Sequence, residues 1–248
     1  MRIDVLFGVQ QLTPQDVQGR VVAVIDVLRA STTIAVALSN GARAIIPMES
    51  SDDVITRSKQ FERGAVRLAG ERRMLRMDGF DLGNSPIEHS REAVEGKTVL
   101  LSTTNGTKAL LAVQGARDVV VASYVNLSAV TAMLRAALRG GADLTLVCAG
   151  QDRQFALEDA ACAGRYAHTI SKRLTGLDMN DAAYAASLID RKFGDDLARL
   201  FSTALHGRAL AGAGFGDDLV ACSAVDSCPV VPIYQDRQIT LLGPDRGR

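Results

Sequence analysis

Carboxylate, arginine and hydroxyl side chains stand together where a hydrophobic run gives way to a helix-like segment. Asp26 ends the run, Arg29 follows three residues later, and Ser31 and Thr32 come next. Free amides at a helix N-terminus favour an anion, and a hydroxyl residue can cap the same helix. The segment therefore predicts an anion site with a carboxylate beside it. A capped helix carrying one surface ion pair would use the same residues.

A second strand-to-helix junction is rich in small hydroxyl residues and also carries a glycine and a lysine. Its candidate binding residues are Thr103, Thr104, Asn105, Gly106 and Lys108. Donors of this kind can cradle a phosphate, although the spacing is not that of a P-loop. A capped turn with a permissive glycine is the alternative. Ligands of open α/β sheets sit beyond the carboxyl ends of the strands, so we expect both junctions to face the same sheet edge.

A glycine-rich, loop-like third segment, residues 70–73 followed by residues 79–86, supplies further candidates, namely Glu71, Arg72 and Asn84. Long loops inside compact domains are often functional, and a solvated, charged excursion is the alternative.

Two more carboxylates, Glu158 and Asp159, stand in the first turn or two of a predicted helix after another strand-like run. Carboxylates there interact favourably with the helix dipole, which is a purely structural role. They also suit a hard cation, because Mg²⁺ usually takes one or two carboxylates, several waters and the substrate phosphate. The residues alone leave both roles open.

The cysteines and histidines do not form a recognisable site. Cys148, Cys162, Cys222 and Cys228 make no C-x-x-C pair, and we interpret them as mostly buried thiols. Cys148 with Arg153 gives C-x4-R, one residue short of a cysteine-phosphatase loop. The three histidines are scattered, so we expect neither a histidine metal site nor a histidine triad.

The elements that must position these residues alternate between strand-like and helix-like patterns. Strands are predicted at residues 21–27, 43–48, 98–101, 118–122 and 143–148, with helices at 32–39, 107–113 and 126–138. Several runs are continuously hydrophobic, as expected for strands covered on both faces. The pattern predicts an α/β fold with three layers, α/β/α, around a mostly parallel or mixed sheet.

The C-terminal half is predicted to be rich in helices. They cover residues 157–174, 182–192 and 195–206, and two last apolar runs at 230–234 and 239–242 either return to the sheet or form a flap. No linker or repeat interrupts the chain, so we expect a single domain over residues 1–248.

Composition narrows the classes of partner. The 248 residues carry 28 Lys plus Arg and 28 Asp plus Glu, so no global field attracts nucleic acid or an anionic membrane. Aromatic residues make up 4% and tryptophan is absent, which disfavours base stacking. No apolar run approaches the roughly 20 residues that span a bilayer, and the first residues do not resemble a signal peptide. We expect a cytoplasmic protein with a small anionic ligand. A homo-oligomer is compatible with the sequence, which does not specify the oligomeric state.

Six blocks in a fixed order carry a resemblance to a known family. They are residues 25–33, 70–72, 79–86, 103–107, 147–150 and 155–159, and a weaker closing block includes Asp217, Asp218, Cys222 and Asp226. The strings D-V-L-R-A-S-T-T, G-F-D-L-G-N-S-P and T-T-N-G-T are long enough to be specific. Together these blocks resemble 2-phosphosulfolactate phosphatase and span most of the chain.

The resemblance implies a Mg²⁺-dependent phosphatase that converts 2-phospho-3-sulfolactate to 3-sulfolactate, a step toward coenzyme M in methanogens. Similar proteins occur in bacteria, where the natural substrate need not be the same. Arg73 stands where a glycine-rich turn is commoner in the family, which adds positive charge to the expected pocket.

This resemblance and the chemistry of phosphate esters give each candidate a role. Asp26, Glu71 and Glu158 or Asp159 are candidate Mg²⁺ ligands, directly or through water. Arg29, Arg72 and Lys108 would hold the phosphate, carboxylate and sulfonate. Neutral donors would come from Thr103, Thr104, Asn105 and Gly106. The further substrate-binding candidates are Ser31, Thr32 and Asn84.

Asp26 is also the candidate nucleophile, and the sequence does not separate covalent catalysis from attack by a metal-bound water. Two other functions stay open: a phosphatase for another small phosphorylated acid, and a non-catalytic anion-binding protein. A pure anion binder gains nothing from carboxylates beside its arginines, which favours the enzyme.

Overall fold

The computed structural model describes residues 1–172 and 174–243. In these two ranges, eleven strands form one sheet. They are β1 (Arg2–Leu6), β2 (Val21–Ile25), β3 (Ala44–Pro47), β4 (Val66–Arg72), β5 (Leu75–Arg76), β6 (Thr98–Ser102), β7 (Asp118–Ala122), β8 (Leu144–Cys148), β9 (Asp178–Met179), β10 (Pro232–Gln235) and β11 (Gln238–Leu241).

The helices of the described residues fall between and after these strands. They are α1 (Pro14–Val17), α2 (Ala30–Ser39), α3 (Ser51–Ser58), α4 (Arg91–Val94), α5 (Gly106–Ala112), α6 (Leu127–Arg139), α7 (Leu157–Ser171), α8 (Asp181–Phe193), α9 (Leu197–Thr203), α10 (Leu205–Gly212) and α11 (Gly216–Ser223).

The central strands are covered on both faces. All five residues of β2 are buried. Val21, Ala23 and Ile25 belong to one hydrophobic cluster, whereas Val22 and Val24 belong to another. Because successive side chains of a strand point to opposite faces, the two clusters lie on opposite sides of the sheet. The predicted α/β class is confirmed, with a mixed rather than wholly parallel sheet.

The last two strands form a hairpin in the middle of the sheet. The strand order is β5-β4-β6-β3-β11-β10-β7-β2-β8-β1-β9. β10 pairs antiparallel with β7, and β11 pairs antiparallel with β3. The two C-terminal runs therefore return to the sheet, where Ile233 and Ile239 become buried between two parallel halves.

The predicted helix at residues 195–206 is wrong in its extent, because the chain breaks it into α9 and α10. Ala204 between them is extended, with φ −64° and ψ 140°. Gly207 then lies so close to α9 that an added Cβ would stand 2.0 Å from the carbonyl oxygen of Phe201. This close approach requires a glycine and separates the two helices.

In the described part of the chain, no helix combines the length and hydrophobicity needed to cross a bilayer.

Candidate active site

A cavity of about 390 Å³ lies beside the junctions that follow β2, β4, β6 and β8. Eight residues predicted from the sequence line it: Asp26, Arg29, Glu71, Arg72, Asn84, Thr103, Thr104 and Asn105. The segments that carry them are far apart in sequence, and the fold brings them to one place.

Asp26 follows β2 and carries a buried carboxylate. Its backbone N–H donates to Ser31 Oγ at 2.9 Å, and its Oδ1 accepts from the backbone N–H of Ala30 at 3.2 Å. Burial raises the pKa of Asp26 to about 7, and the nearby carboxylates of Glu71 and Glu158 act in the same direction. Negative charge at this position is therefore poorly compensated within the protein.

Glu71, at the end of β4, joins two walls of the cavity. Its Oε1 accepts from the backbone N–H of Thr104 at 2.8 Å, and its Oε2 accepts from that of Met74 at 2.9 Å. Arg72 beside it donates to Ser102 Oγ at 3.0 Å. The β4–β5 hairpin is thus fixed against the junction between β6 and α5.

The tip of this hairpin is a two-residue turn, Arg73–Met74, which connects Arg72 to its cross-strand partner Leu75. Arg73 and Met74 have φ values of +51° and +72°. Two-residue hairpin turns with positive φ at both positions strongly prefer glycine or asparagine. Arg73 lines the cavity from this strained position, so the extra positive charge noted in the sequence does reach the pocket.

Arg29 is almost completely buried, yet it contributes to the cavity lining. Its Nη1 donates to Asp218 Oδ2 at 2.6 Å, and its Nη2 donates to the Met74 carbonyl at 2.7 Å. The Phe215 ring centroid lies 4.3 Å from its guanidinium carbon. Three separate segments therefore hold this one guanidinium.

Glu158 and Asp159 lie at the start of α7, behind the cavity rather than in its lining. The two oxygens of Asp159 accept from the backbone N–H groups of Val27 at 2.8 Å and Gly150 at 3.1 Å. Burial raises the pKa of Glu158 to about 7 and that of Asp159 well above its usual value. The structure gives Asp159 a clear bracing role between the ends of β2 and β8.

Four predicted substrate-binding residues do not line the cavity. Ser31 and Thr32 are buried, and Thr32 Oγ1 donates to the Val27 carbonyl at 2.9 Å. Lys108 is exposed on α5. Gly106 packs against Asp26 instead, since an added Cβ would stand 2.7 Å from Asp26 Oδ2. The sequence-based prediction treated every polar residue of a strand-to-helix junction as facing the ligand. The structure shows that these four residues do not line the cavity.

Apart from Arg73, five lining residues were not singled out from the sequence: Leu28, Met74, Gln151, Asp152 and His206. Gln151 and Asp152 follow β8 at the edge where ligands bind, and that rule could have selected them. Asp152 also donates its backbone N–H to Asn105 Oδ1 at 3.2 Å. His206 comes from α10, and no local pattern links that helix to the sheet edge.

His206 closes the cavity on the side of α7. Its Nδ1 lies 3.9 Å from Glu158 Oε1. Burial lowers the pKa of the imidazole, and the positive charge of Arg29 acts in the same direction. The ring is therefore a neutral donor and acceptor at neutral pH.

The carboxylates fit a hard cation better than a transition metal. Across residues 1–172 and 174–243, no three or more His, Cys, Asp or Glu residues are grouped as a protein-only metal site. Mg²⁺ does not need such a group, because water and substrate phosphate complete its six ligands. The uncompensated negative charge at Asp26, with Glu71 beside it, suits a cation held in this way.

The thiols lie outside the cavity lining. Cys148, Cys162 and Cys222 are buried and Cys228 is half-buried. Burial raises the pKa of Cys148 well above its usual value, which disfavours a thiolate nucleophile there.

A family model and the individual relatives of this chain point to the same family. A family model described as 2-phosphosulpholactate phosphatase matches residues 7–237. A relative from Carboxydothermus hydrogenoformans is 38% identical over 232 residues, covering 94% of this chain and 92% of the relative. One from Symbiobacterium thermophilum is 35% identical over 228 residues, covering 92% and 97%. One from Caldanaerobacter subterraneus subsp. tengcongensis is 36% identical over 221 residues, covering 89% and 90%.

Each of these three relatives is named a probable 2-phosphosulfolactate phosphatase. The family resemblance read from the six sequence blocks is confirmed, since the match runs through all of them. The chain belongs to the 2-phosphosulpholactate phosphatase family.

Proposed function

We propose that this protein is a Mg²⁺-dependent phosphatase that hydrolyses 2-phospho-3-sulfolactate to 3-sulfolactate and phosphate. The observation that carries the proposal is the buried carboxylate of Asp26 in a cavity that arginines also line. Membership of the family and the names of its relatives support the choice of substrate.

The charges of the cavity suit a small molecule with several anionic groups. This substrate carries a phosphate, a carboxylate and a sulfonate. Arg29, Arg72 and Arg73 line the cavity, and Thr103, Thr104 and Asn84 add neutral donors. A volume of about 390 Å³ lies within the range of small-molecule sites.

Asp26 and Glu71 would hold Mg²⁺, and Glu158 and Asp159 would support them from behind. When bound, Mg²⁺ would neutralise negative charge on the phosphoryl oxygens and so favour transfer of the phosphoryl group. Asp26 follows β2 and Glu71 lies at the end of β4, so a cation held by both residues would also link these two strands.

The protein's own groups do most of the positioning. The transition state spreads charge over three phosphoryl oxygens, and the fixed guanidinium of Arg29 offers preorganised donors for it. When the ester P–O bond breaks, its electron pair goes to the oxygen on carbon 2 of sulfolactate, which must take up a proton. His206 lines the cavity with a neutral imidazole, which can relay a proton to this oxygen.

Asp26 admits two roles in this reaction. As nucleophile, its carboxylate oxygen would bond to phosphorus while the ester bond breaks, and water would then release phosphate from the aspartyl phosphate. As metal ligand, it would leave the attack on phosphorus to water.

The direct test is phosphate release from 2-phospho-3-sulfolactate and from a generic aryl phosphate, with and without Mg²⁺. We expect turnover that a chelator abolishes and that added Mg²⁺ restores. Full turnover in excess EDTA, with no effect of added Mg²⁺, would rule out the metal-dependent mechanism.

The same assay separates the alternatives. Faster turnover of another phosphorylated acid, such as one without the sulfonate, would keep the phosphatase and change its substrate. Binding of these anions with no turnover of any ester would favour a non-catalytic anion-binding protein.

A further inference from the structure

We propose that Asp218 is a positioning residue, which aims the Arg29 guanidinium at the phosphate of the substrate. The inference rests on the proposed function, since it assigns the anion that Arg29 binds. Asp218 lies on α11 and is not among the residues that line the cavity.

The ion pair between the two residues is buried and short. Arg29 Nη1 donates to Asp218 Oδ2 at 2.6 Å, and both side chains are no more than 3% exposed. Buried charges are held in place only when they are paired and hydrogen-bonded. The direction of this guanidinium is therefore fixed by the position of Asp218.

Two further contacts complete the hold on Arg29. The ring of Phe215, the residue before α11, lies 4.3 Å from the guanidinium carbon. The Met74 carbonyl accepts from Nη2 at 2.7 Å. A guanidinium carries five N–H donors, and these two hydrogen bonds leave others for an anion in the cavity.

The second oxygen of Asp218 reaches another wall of the same cavity. Ser85 Oγ donates to Asp218 Oδ1 at 2.6 Å. Ser85 follows Asn84, which lines the cavity and whose carbonyl accepts from Thr33 Oγ1 at 2.8 Å. One carboxylate thus sets the relative positions of Arg29 and of the loop that carries Asn84.

This arrangement matters because phosphoryl transfer depends on positioning. A guanidinium on a free side chain would have to be ordered at each binding event, and a fixed one is already in place. Asp218 does this without touching the substrate, so its loss should weaken anion binding through Arg29.

The test compares Asp218→Asn with Asp217→Asn, the same chemical change at the exposed neighbouring position of α11. Michaelis constants for the substrate and binding of inorganic phosphate by calorimetry are measured for both. We expect Asp218→Asn to raise both constants about tenfold or more. Asp217→Asn should stay within about twofold of wild type.

A double-mutant cycle with Arg29→Lys shows whether Asp218 acts through Arg29. We expect the double variant to bind phosphate about as weakly as Arg29→Lys alone, because the positioned group is already altered. If the two substitutions instead weakened phosphate binding by independent factors that multiply in the double variant, the proposal would be overturned. Wild-type constants in a folded Asp218→Asn protein would also overturn it.

If Asp218→Asn does not fold, Ser85→Ala provides the second variant. It removes the hydrogen bond that Ser85 Oγ donates to Asp218 Oδ1 and so loosens the carboxylate that holds Arg29, and we expect both constants to rise about threefold. Unchanged constants in this variant would then overturn the proposal. Should wild type release no phosphate from any ester, the proposed function fails, while calorimetry still measures the effect of Asp218 on phosphate binding.

Discussion

At the scale of single residues, Asp26 has the surroundings of a reactive carboxylate. It is buried, its pKa is raised to about 7, and it lies in the cavity beside Glu71. A structural aspartate at a strand end would be paired with a cation or with several donors. The sequence indicated the position of Asp26, because an Asp-x-x-Arg pattern follows a buried strand. It could not indicate the raised pKa, which depends on burial in the fold and on carboxylates more than forty residues away.

Asp26→Asn keeps the volume and removes the charge. We expect kcat to fall at least roughly a hundredfold, about 2.7 kcal/mol of transition-state stabilisation, because a ligand or a nucleophile is lost. Titration with Mg²⁺ separates the two roles. High Mg²⁺ should partly rescue a lost ligand and should not rescue a lost nucleophile. Near-wild-type kcat at ordinary Mg²⁺ would leave Asp26 with a structural role only.

Arg73→Gly should affect stability and binding in opposite directions. Glycine relieves the positive φ of +51°, so the free energy of unfolding should rise by about 1 kcal/mol. Loss of the charge should raise KM for the sulfonate-bearing substrate more than for an aryl phosphate. The matched control is Arg237→Gly, which has φ +63° in the β10–β11 turn and lies outside this cavity. It should stabilise without changing KM, and an equal KM change in both variants would contradict a specificity role for Arg73.

At the scale of elements, the start of α5 and the turn after β2 share one tight contact. A Cβ on Gly106 would stand 2.5 Å from the Ala30 Cβ and 2.7 Å from Asp26 Oδ2. From the sequence, Gly106 was expected either to belong to a phosphate cradle or to supply the permissive backbone of a capped turn. The structure gives a different reason for a glycine at this position. A side chain would not fit between Ala30 and Asp26, and the backbone φ does not require glycine.

Gly106→Ala should therefore push α5 away from Asp26. We expect kcat/KM to fall by at least about tenfold, with some loss of thermal stability. Gly212→Ala on α10 is the control, because its Cβ would meet no heavy atom within 4 Å. Equal activity in the two variants would show that the Gly106 contact does not position Asp26.

The elements themselves were predictable to different degrees. The continuous hydrophobic runs of β2 and β8 gave strands close to those observed. β1 was missed because Asp4 interrupts its apolar pattern, and only the fold shows Asp4 paired with Arg2 and Arg20. His206 could not be placed at the site, because its position depends on how α10 packs.

At the scale of the whole molecule, the cluster of buried carboxylates links stability to pH. Asp26 and Glu158 have pKa values raised to about 7, above those of the unfolded chain. The folded protein therefore holds more protons near pH 7, and its stability falls as pH rises. His89, His168 and His206 have lowered pKa values, so they give a smaller contribution of opposite sign, which ends at about pH 7.5 because the histidines of the unfolded chain are neutral above it.

Between about pH 6.5 and 8, we expect the metal-free protein to lose stability, on the order of 1 kcal/mol for each of Asp26 and Glu158. Mg²⁺ should restore more of it at pH 8 than at pH 6.5, because it binds the ionised carboxylates. Thermal melts across this window, with and without Mg²⁺, measure both effects. Asp26→Asn should lose less stability than wild type across this window, and an equal loss in both proteins would contradict the carboxylate cluster.

The position of the β10–β11 hairpin has a consequence for biosynthesis. The middle of the sheet is filled by β10 and β11, which a ribosome adds after the other nine strands of the described residues. Until then, β3 and β7 both present unpaired edges, which are templates for association with other chains. Long-range pairing of this kind is also slow to form. The nascent chain therefore lacks the hairpin that joins the two halves of its sheet until these residues are made, and we expect its dependence on chaperones to be greatest before then.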